Sequence, residues 1–295
     1  MNDLYIILTA SLVASSCALL GCFLVLRRMA MVGDAISHAV LPGIVLAFLF
    51  SGTRDSLVML AGAGIAGMFT TFLIEFFHRR ARLQTDAAIG VTFTWLFAVG
   101  VILISVFAGK VDLDQDCVLY GEIAYVPLDL LDLFGGSFTI PRSMLVAGLL
   151  LVGVILFIAI GYRPLLLTTF DASFAGAVGL ATGTWHYLVM GAVSVTTVAS
   201  FESVGAILVV SLLVVPAATA YLLTERLKVM LMLSALFGIL ASVSGYYLAV
   251  AIDGSIAGAI ATMTGVFFLM AFLFSPTHGV VAKKQGGISP APGTC

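Results

Sequence analysis

Long uncharged apolar runs limit what this chain can fold into more than any other feature. The first run, residues 4–26, holds 23 residues without a charge, which is enough α-helix to cross the hydrocarbon core of a bilayer. Charged residues make up 9% of the chain, against about a quarter in soluble domains. The runs are also too long to be strands of a membrane barrel. The sequence therefore predicts an all-α, polytopic helical membrane protein.

Nine membrane segments can be read along the chain. The first lacks a small-residue cleavage pattern and is too long for the apolar region of a signal peptide, so it is predicted to be a retained helix. The second and sixth are short for a full span, so eight spans plus a re-entrant segment is the alternative. The predicted segments are residues 4–26, 36–50, 56–77, 87–108, 142–161, 185–200, 204–223, 229–252 and 255–274.

The basic residues predict the orientation of these segments. Those on one set of alternate loops are Arg27, Arg28, Arg79, Arg80, Arg82, Arg163, Arg226, Lys228, Lys283 and Lys284, and those on the other set are Arg54, Lys110 and Arg142. Cytoplasmic loops are enriched in Lys and Arg, so the amino terminus is predicted outside and the carboxyl terminus in the cytoplasm. After residue 276 the composition predicts a disordered cytoplasmic tail, 277–295, which follows a transmembrane domain, 1–276.

Several functional classes find no support in the sequence. The four cysteines, Cys17, Cys22, Cys117 and Cys295, form no CxxC pair and indicate neither a disulfide framework nor a soft-metal site. No basic stripe is present, so nucleic acid is not expected as a partner. No catalytic or nucleotide-binding motif occurs. The chain is therefore not predicted to be an enzyme, and any ATP that drives it must be hydrolysed by another subunit.

Asp34 and His38 stand four residues apart inside an otherwise apolar segment. On a helix this spacing places both side chains on one face, one turn apart. Ionisable groups at membrane depth are costly and usually face a cavity or a substrate path. A carboxylate oxygen and an imidazole nitrogen so placed form half of a site for a divalent transition metal. Pro42 and Gly43 follow closely and give the helix a place to bend.

Two predicted loops carry further signals. On the inner side, Asp171 is a suitable N-cap and Gly179 a suitable stop for a short helix that a soluble partner could bind, with an ordinary connector as the alternative. On the outer side, the loop 109–141 is acidic. It is either simply solvated or an entrance that attracts cations or docks an extracytoplasmic partner. Its acidic residues are Asp112, Asp114, Asp116, Glu122, Asp129 and Asp132.

Four stretches of the sequence resemble the ABC-3 family of metal permeases. The most specific is Gly-Asp-Ala-Ile-Ser-His-Ala-Val-Leu-Pro-Gly at 33–43. The pattern Phe170-Asp171…Ala175…Gly179 resembles the coupling region of that family. Val-Gly-Ala-Ile-Leu-Val-Val-Ser-Leu-Leu-Val-Val-Pro, ending at Pro216, resembles a late helix with an internal proline. Cys-Val-Leu-Tyr-Gly-Glu-Ile-Ala-Tyr at 117–125 resembles the manganese-leaning members. The resemblance extends to about residue 276.

The resemblance implies an ATP-driven importer in a bacterial cell (inner) membrane. Such an importer has two permease subunits, two ATPase subunits and an extracytoplasmic metal-binding lipoprotein. Asp34 and His38 would line the metal path, and the coupling segment with Phe170, Asp171, Ala175 and Gly179 would dock on the ATPase. Pro216 either kinks its helix near the path or serves plain packing.

Blander interpretations of the polar residues stay open from the sequence. Asp34 can cap its helix and pair with Arg27 or Arg28, which would leave His38 as a core histidine. Four other residues are not added to the metal site. Glu202 and Asp253 are predicted in short outer turns, His186 at the membrane interface, and Glu75 in a helix-surface pair with Arg79.

The favoured function is import of a divalent metal, Mn²⁺ before Zn²⁺ or Fe²⁺, as transported substrate without a permanently bound cofactor. Oxygen and imidazole ligands without a thiol disfavour Cu(I) but do not separate these three metals. The alternatives are a proton-driven secondary cation transporter and an ABC permease for a metal chelate. The choice of metal, the remaining ligands and a homodimeric or heterodimeric permease stay open.

Overall fold

The computed structural model describes residues 2–52, 56–107, 123–128, 130–133 and 138–275. The helices are α1 (Asn2–Leu26), α2 (Val32–Ala39), α3 (Leu41–Ser51), α4 (Ser56–Arg80), α5 (Thr85–Phe107), α6 (Arg142–Phe170), α7 (Ala172–Ala177), α8 (Thr182–Val204), α9 (Ala206–Leu223), α10 (Leu227–Ile252) and α11 (Ile256–Phe274). A 3₁₀ helix, Ile123–Leu128, and an antiparallel hairpin of β1 (Leu130–Leu133) and β2 (Phe138–Pro141) precede α6. The predicted all-α membrane class is confirmed.

Eight spans in the described part of the chain are long and apolar enough to cross a membrane, with α2 and α3 counted as one. The helix α8 falls outside that set although it has 23 residues. It lies inside the bundle and contacts α1, α4 and α6. Five of its hydroxyl residues are buried in protein. They are Ser194, Thr196, Thr197, Ser200 and Ser203.

The core is built around α1, which contacts α6, α8, α9 and α10. Phe23 and Leu24 are fully buried, as are small residues such as Cys17. Gly21 lies against the backbone of Leu213 on α9, where an added Cβ would overlap the carbonyl group. Small residues of this kind let membrane helices approach closely, because helix association in lipid depends on packing.

The second span begins earlier than predicted and is broken in the middle. It runs from Val32 to Ser51, and the break between α2 and α3 falls at Val40. Pro42 has no N–H group, so it cannot donate the helical hydrogen bond to the carbonyl oxygen of His38. The interruption therefore falls directly before Pro42 and Gly43, where the sequence predicts a place to bend.

Three glycines of α4, Gly62, Gly64 and Gly67, differ in how closely they are packed. A Cβ on Gly62 would lie 2.6 Å from the carbonyl oxygen of Gly43 on α3. A Cβ on Gly67 would overlap the hydroxyl of Ser194 on α8 and lie 3.3 Å from Ile36 on α2. Gly64 has open space around it. The packed glycines hold α4 against the broken span.

Helix α6 corrects the predicted end of the fifth segment. The helix does not stop at residue 161 but continues through Pro164 to Phe170, so Arg163 lies in the helix. Helix α9 likewise continues through Pro216 without a break. Most of the acidic loop, together with Cys117, Cys295 and the tail 277–295, lies outside the described residues.

The helices α8 and α9 are joined by one residue, Gly205. Its backbone has φ 79° and ψ 160°, a conformation that residues with a Cβ rarely adopt. The helical path is therefore interrupted within a single residue, and α9 begins directly after α8 ends.

Candidate functional site

Asp34 and His38 lie near the middle of the bundle along its axis. Between them, Ile36 of α2 meets Gly67 of α4, and Gly67 in turn meets Ser194 of α8. Gly67 and Ser194 are each near the centre of a helix of more than 20 residues. Asp34 and His38 therefore lie at a central depth in the bundle, because α4 and α8 extend well past the start of α2.

The carboxylate and the imidazole face each other across one helical turn. Asp34 Oδ1 lies 3.6 Å from His38 Nε2, and each side chain is 36% exposed. The His38 ring also contacts two aromatic rings of α5, with centroids 5.9 Å from Phe93 and 5.8 Å from Phe97. The imidazole is thus held beside two apolar rings, and both side chains of the pair remain partly exposed.

The interpretation of Asp34 as a helix cap is wrong. Helix α2 is capped by Met31 without a side-chain hydrogen bond, and Asp34 lies inside its first turn. Arg27 is occupied by Thr168, Thr169 and His186 rather than by this carboxylate.

This pair supplies only part of a metal coordination shell. Among the described residues no group of three or more His, Cys, Asp or Glu side chains converges. The described cysteines are buried elsewhere, and Cys22 points to Ser234 of α10. A carboxylate oxygen and an imidazole nitrogen are ligand types that suit Mn²⁺ or Zn²⁺, so the pair alone would offer two ligands.

A second carboxylate–imidazole pair, which the sequence did not reveal, lies toward one end of the bundle. Glu75 Oε2 of α4 is 3.1 Å from His186 Nε2 of α8, and the two side chains are 7% and 16% exposed. Glu75 also pairs with Arg79, as the i,i+4 spacing predicted. His186 is therefore not an isolated interface residue. The two residues are separated by more than 100 positions, so the sequence offered no local signal for the contact.

Arg27 completes this second cluster, which we call the Arg27 cluster: Arg27, Glu75, Arg79, Thr168, Thr169 and His186. The guanidinium donates to Thr169 Oγ1 at 3.2 Å and to Thr168 Oγ1 at 3.1 Å, and it lies 3.5 Å from His186 Nδ1. Burial lowers the pKa of the Arg27 guanidinium from its ordinary value, although arginine stays charged at neutral pH.

The short helix predicted after Phe170 is present as α7. Asp171 caps it by accepting a hydrogen bond from the Phe174 N–H at 2.8 Å. Gly179 has φ 87°, the left-handed conformation that ends helices. Ala175 is buried, whereas Phe170, Phe174 and Val178 are more than half exposed. The exposed apolar side chains thus lie at the end of α6, on α7 and just after it. Phe174 and Val178 were not among the predicted coupling residues.

Comparisons with known proteins give a consistent result. The model of the ABC 3 transport family matches residues 4–275. The manganese transport system membrane protein MntD of Bacillus subtilis is 50% identical over 282 residues, which cover 96% of this chain and 95% of the relative. The zinc transport system membrane protein TroD of Treponema pallidum is 46% identical over 278 residues, which cover 94% of this chain and 75% of the relative.

A solved structure agrees with these relatives. The structure of PsaBC from Streptococcus pneumoniae in complex with a Fab contains a chain that is 32% identical, with a TM-score of 0.77. The match covers 96% of this chain and 94% of that one. The sequence comparisons and the fold comparison thus agree over almost the same length of chain.

Proposed function

Because the chain belongs to the ABC 3 transport family, we propose that it is the membrane permease of an ATP-driven importer of divalent metal ions. Asp34 and His38 bind the ion transiently on its way through the membrane. The observation that carries this assignment is the position of the pair, at mid-depth and on one turn of the broken span. Relatives named as manganese and zinc transport proteins support the class of substrate.

A second permease subunit completes the site. The carboxylate of Asp34 is 36% exposed, and a charge at this depth is costly if it faces lipid. A second copy, or a related permease, packed across a two-fold axis would cover it and bring a second aspartate and a second histidine. The incomplete ligand set among the described residues agrees with this arrangement.

Mn²⁺ is the favoured ion, followed by Zn²⁺ and then Fe²⁺. Carboxylate oxygens suit manganese, and imidazole suits zinc and iron as well as other transition metals. A site of two aspartates and two histidines has no thiolate, which disfavours Cu(I). The ligand types therefore indicate the class of ion, and competition between metals would identify the ion within that class.

The segment around α7 serves as the contact with the ATPase subunit. Phe170, Phe174 and Val178 present an apolar surface that a groove of the ATPase can cover. Asp171 and Gly179 set the ends of the helix, and the buried Ala175 holds it against the bundle. We expect Phe174→Ser to weaken binding of the ATPase subunits and to leave metal binding unchanged.

The proposed orientation places this contact in the cytoplasm. The amino terminus is then outside, the carboxyl terminus inside, and the acidic loop 109–141 faces an extracytoplasmic metal-binding protein. This arrangement rests on the distribution of Lys and Arg residues. The membrane is the cell (inner) membrane of a bacterium.

Metal uptake tests this function most directly. Cells that express the chain with its ATPase and binding protein are compared with cells that carry Asp34→Ala or His38→Ala, and Ser37→Ala serves as the control from the same turn. We expect both site variants to assemble and to lose uptake, and Mn²⁺ to compete better than Zn²⁺ or Fe²⁺. Normal uptake in both variants would remove the pair from the metal path.

Two further transport measurements separate the alternatives from the proposal. A proton-driven secondary transporter would move metal in liposomes that contain this chain alone, under a pH gradient and without ATP. A permease for a metal chelate would transport its substrate in the presence of excess free metal. The proposal requires the opposite result in each case.

A further inference from the structure

Arg27 holds both ends of the segment that contains α7. Thr168 and Thr169 are the last residues of α6 before Phe170, and His186 lies in the first turns of α8. The guanidinium contacts all three side chains. The contact with Thr168 is well defined, because the threonine hydroxyl donates to the Pro164 carbonyl at 2.8 Å and keeps a lone pair to accept from arginine. Residues 168–186 are thereby closed into a loop by one side chain.

Arg27 also stands at the entrance to the span that carries the candidate metal ligands. It follows α1 directly, and α2 begins five residues later at Val32. Backbone hydrogen bonds from Met29 N to Leu24 O and from Val32 N to Met29 O make this connection compact. A displacement of Arg27 therefore reaches Asp34 through a short, hydrogen-bonded stretch rather than a slack linker.

A second route joins the same cluster to the candidate site. His186 pairs with Glu75 of α4. Eight residues before Glu75 on α4 and eight residues after His186 on α8, Gly67 meets Ser194 beside Ile36. Eight helical residues correspond to about 12 Å. The Arg27 cluster and the Asp34–His38 pair thus lie at two levels of the same bundle, separated by about two helical turns.

We propose that Arg27 is a positioning residue that transmits movement of the α7 segment to α2, so that ATPase motion changes the geometry of Asp34 and His38. The proposal rests on the proposed function, in which α7 docks on the ATPase. Arg27 does not bind the ion. It joins α6 and α8, on either side of α7, to the start of the second span, and without it α7 moves while α2 stays.

The test measures ATP hydrolysis and metal transport together in the reconstituted complex of permease, ATPase and binding protein. The variant is Arg27→Gln, and the matched control is Arg28→Gln, which removes the neighbouring, exposed arginine. We expect Arg27→Gln to keep ATP hydrolysis and to raise the ATP consumed per Mn²⁺ ion by about ten-fold, within the range of typical coupling between sites. The control should match the wild type.

A second variant decides the question if Arg27→Gln fails to assemble. The double substitution Thr168→Val and Thr169→Val keeps the shape of both side chains and removes the acceptors of Arg27. It should raise the same ratio, and combining it with Arg27→Gln should add little, because the residues act through one contact. An unchanged ratio in a well-assembled variant would overturn the proposal, whereas absence of transport by the wild-type complex would instead refute the proposed function.

Discussion

Asp34 with His38 and Glu75 with His186 are the same chemical pair in two different surroundings. The first pair is 3.6 Å apart and 36% exposed on both sides. The second is 3.1 Å apart and almost buried, with Arg79 on its carboxylate and Arg27 beside its imidazole. A carboxylate already neutralised by a guanidinium is a poor ligand for a cation, whereas one without a cationic partner can accept it. The difference separates a pair that can bind cargo from one that stabilises the fold.

The largest effect should come from breaking the buried pair. Glu75→Ala leaves the Arg79 and His186 side chains without their acidic partner, and we expect a loss of about 3 kcal/mol in the free energy of unfolding, typical of removing one member of a buried ion pair. Denaturation of the purified permease in detergent measures it. Glu225→Ala, which removes an exposed carboxylate, should change stability little. Equal stability of the two variants would contradict the division between the pairs.

Substitutions in the partly exposed pair, Asp34 with His38, should reduce transport rather than stability. Asp34→Ala and His38→Ala should leave unfolding almost unchanged, because the pair is partly exposed and makes a weak ion pair. Both should lower Mn²⁺ uptake by about 100-fold, at least as much as loss of an outer-shell partner in a metal site. Uptake assays and unfolding curves on the same variants test this. A large loss of stability would instead show that Asp34 and His38 form a structural contact, as Glu75 and His186 do.

The proximity of Asp34 and His38 could be predicted from the sequence because of their spacing. Asp34 and His38 are one turn apart on one helix, so periodicity alone brings them together. The Arg27 cluster joins α1, α4, α6 and α8, and such contacts depend on how the helices pack. The helix boundaries were partly wrong for a related reason. Hydropathy locates an apolar run, whereas α6 continues through Arg163 and Pro164 to the fully buried Leu165 and beyond.

A packing variant should sharpen the comparison by moving one pair relative to the other. Gly62→Val brings a branched side chain against the Gly43 carbonyl, 2.6 Å from an ideal Cβ, and should cost about 1–3 kcal/mol as overpacking. Gly64→Val, in the same helix with open space around it, should not separate α4 from α3. Unfolding in detergent and Mn²⁺ uptake measure both variants, and equal behaviour would show that the α3–α4 contact does not position the site.

The smallest expected effect concerns the helix that the Arg27 cluster brackets. Asp171→Ala removes the side-chain acceptor of the Phe174 N–H, and Asp171→Asn keeps an oxygen that can cap. Loss of an N-cap should weaken binding of the ATPase subunits by about five-fold for Ala, with little change for Asn. A pull-down titration with purified ATPase measures both. Identical binding by Ala and Asn variants would mean that the cap does not shape the contact.

The single-residue turn at Gly205 has a consequence for how the chain enters the bilayer. With its many hydroxyl groups, α8 would partition weakly into the membrane as an independent helix, whereas α9 has a mean hydropathy of 2.4. Insertion free energies depend on the summed apolar character of a segment. Because one residue joins the two helices, α8 cannot remain in water while α9 inserts into the membrane. The strongly apolar helix therefore brings its polar neighbour into the membrane during biogenesis, and a longer connection at Gly205 would separate the two events.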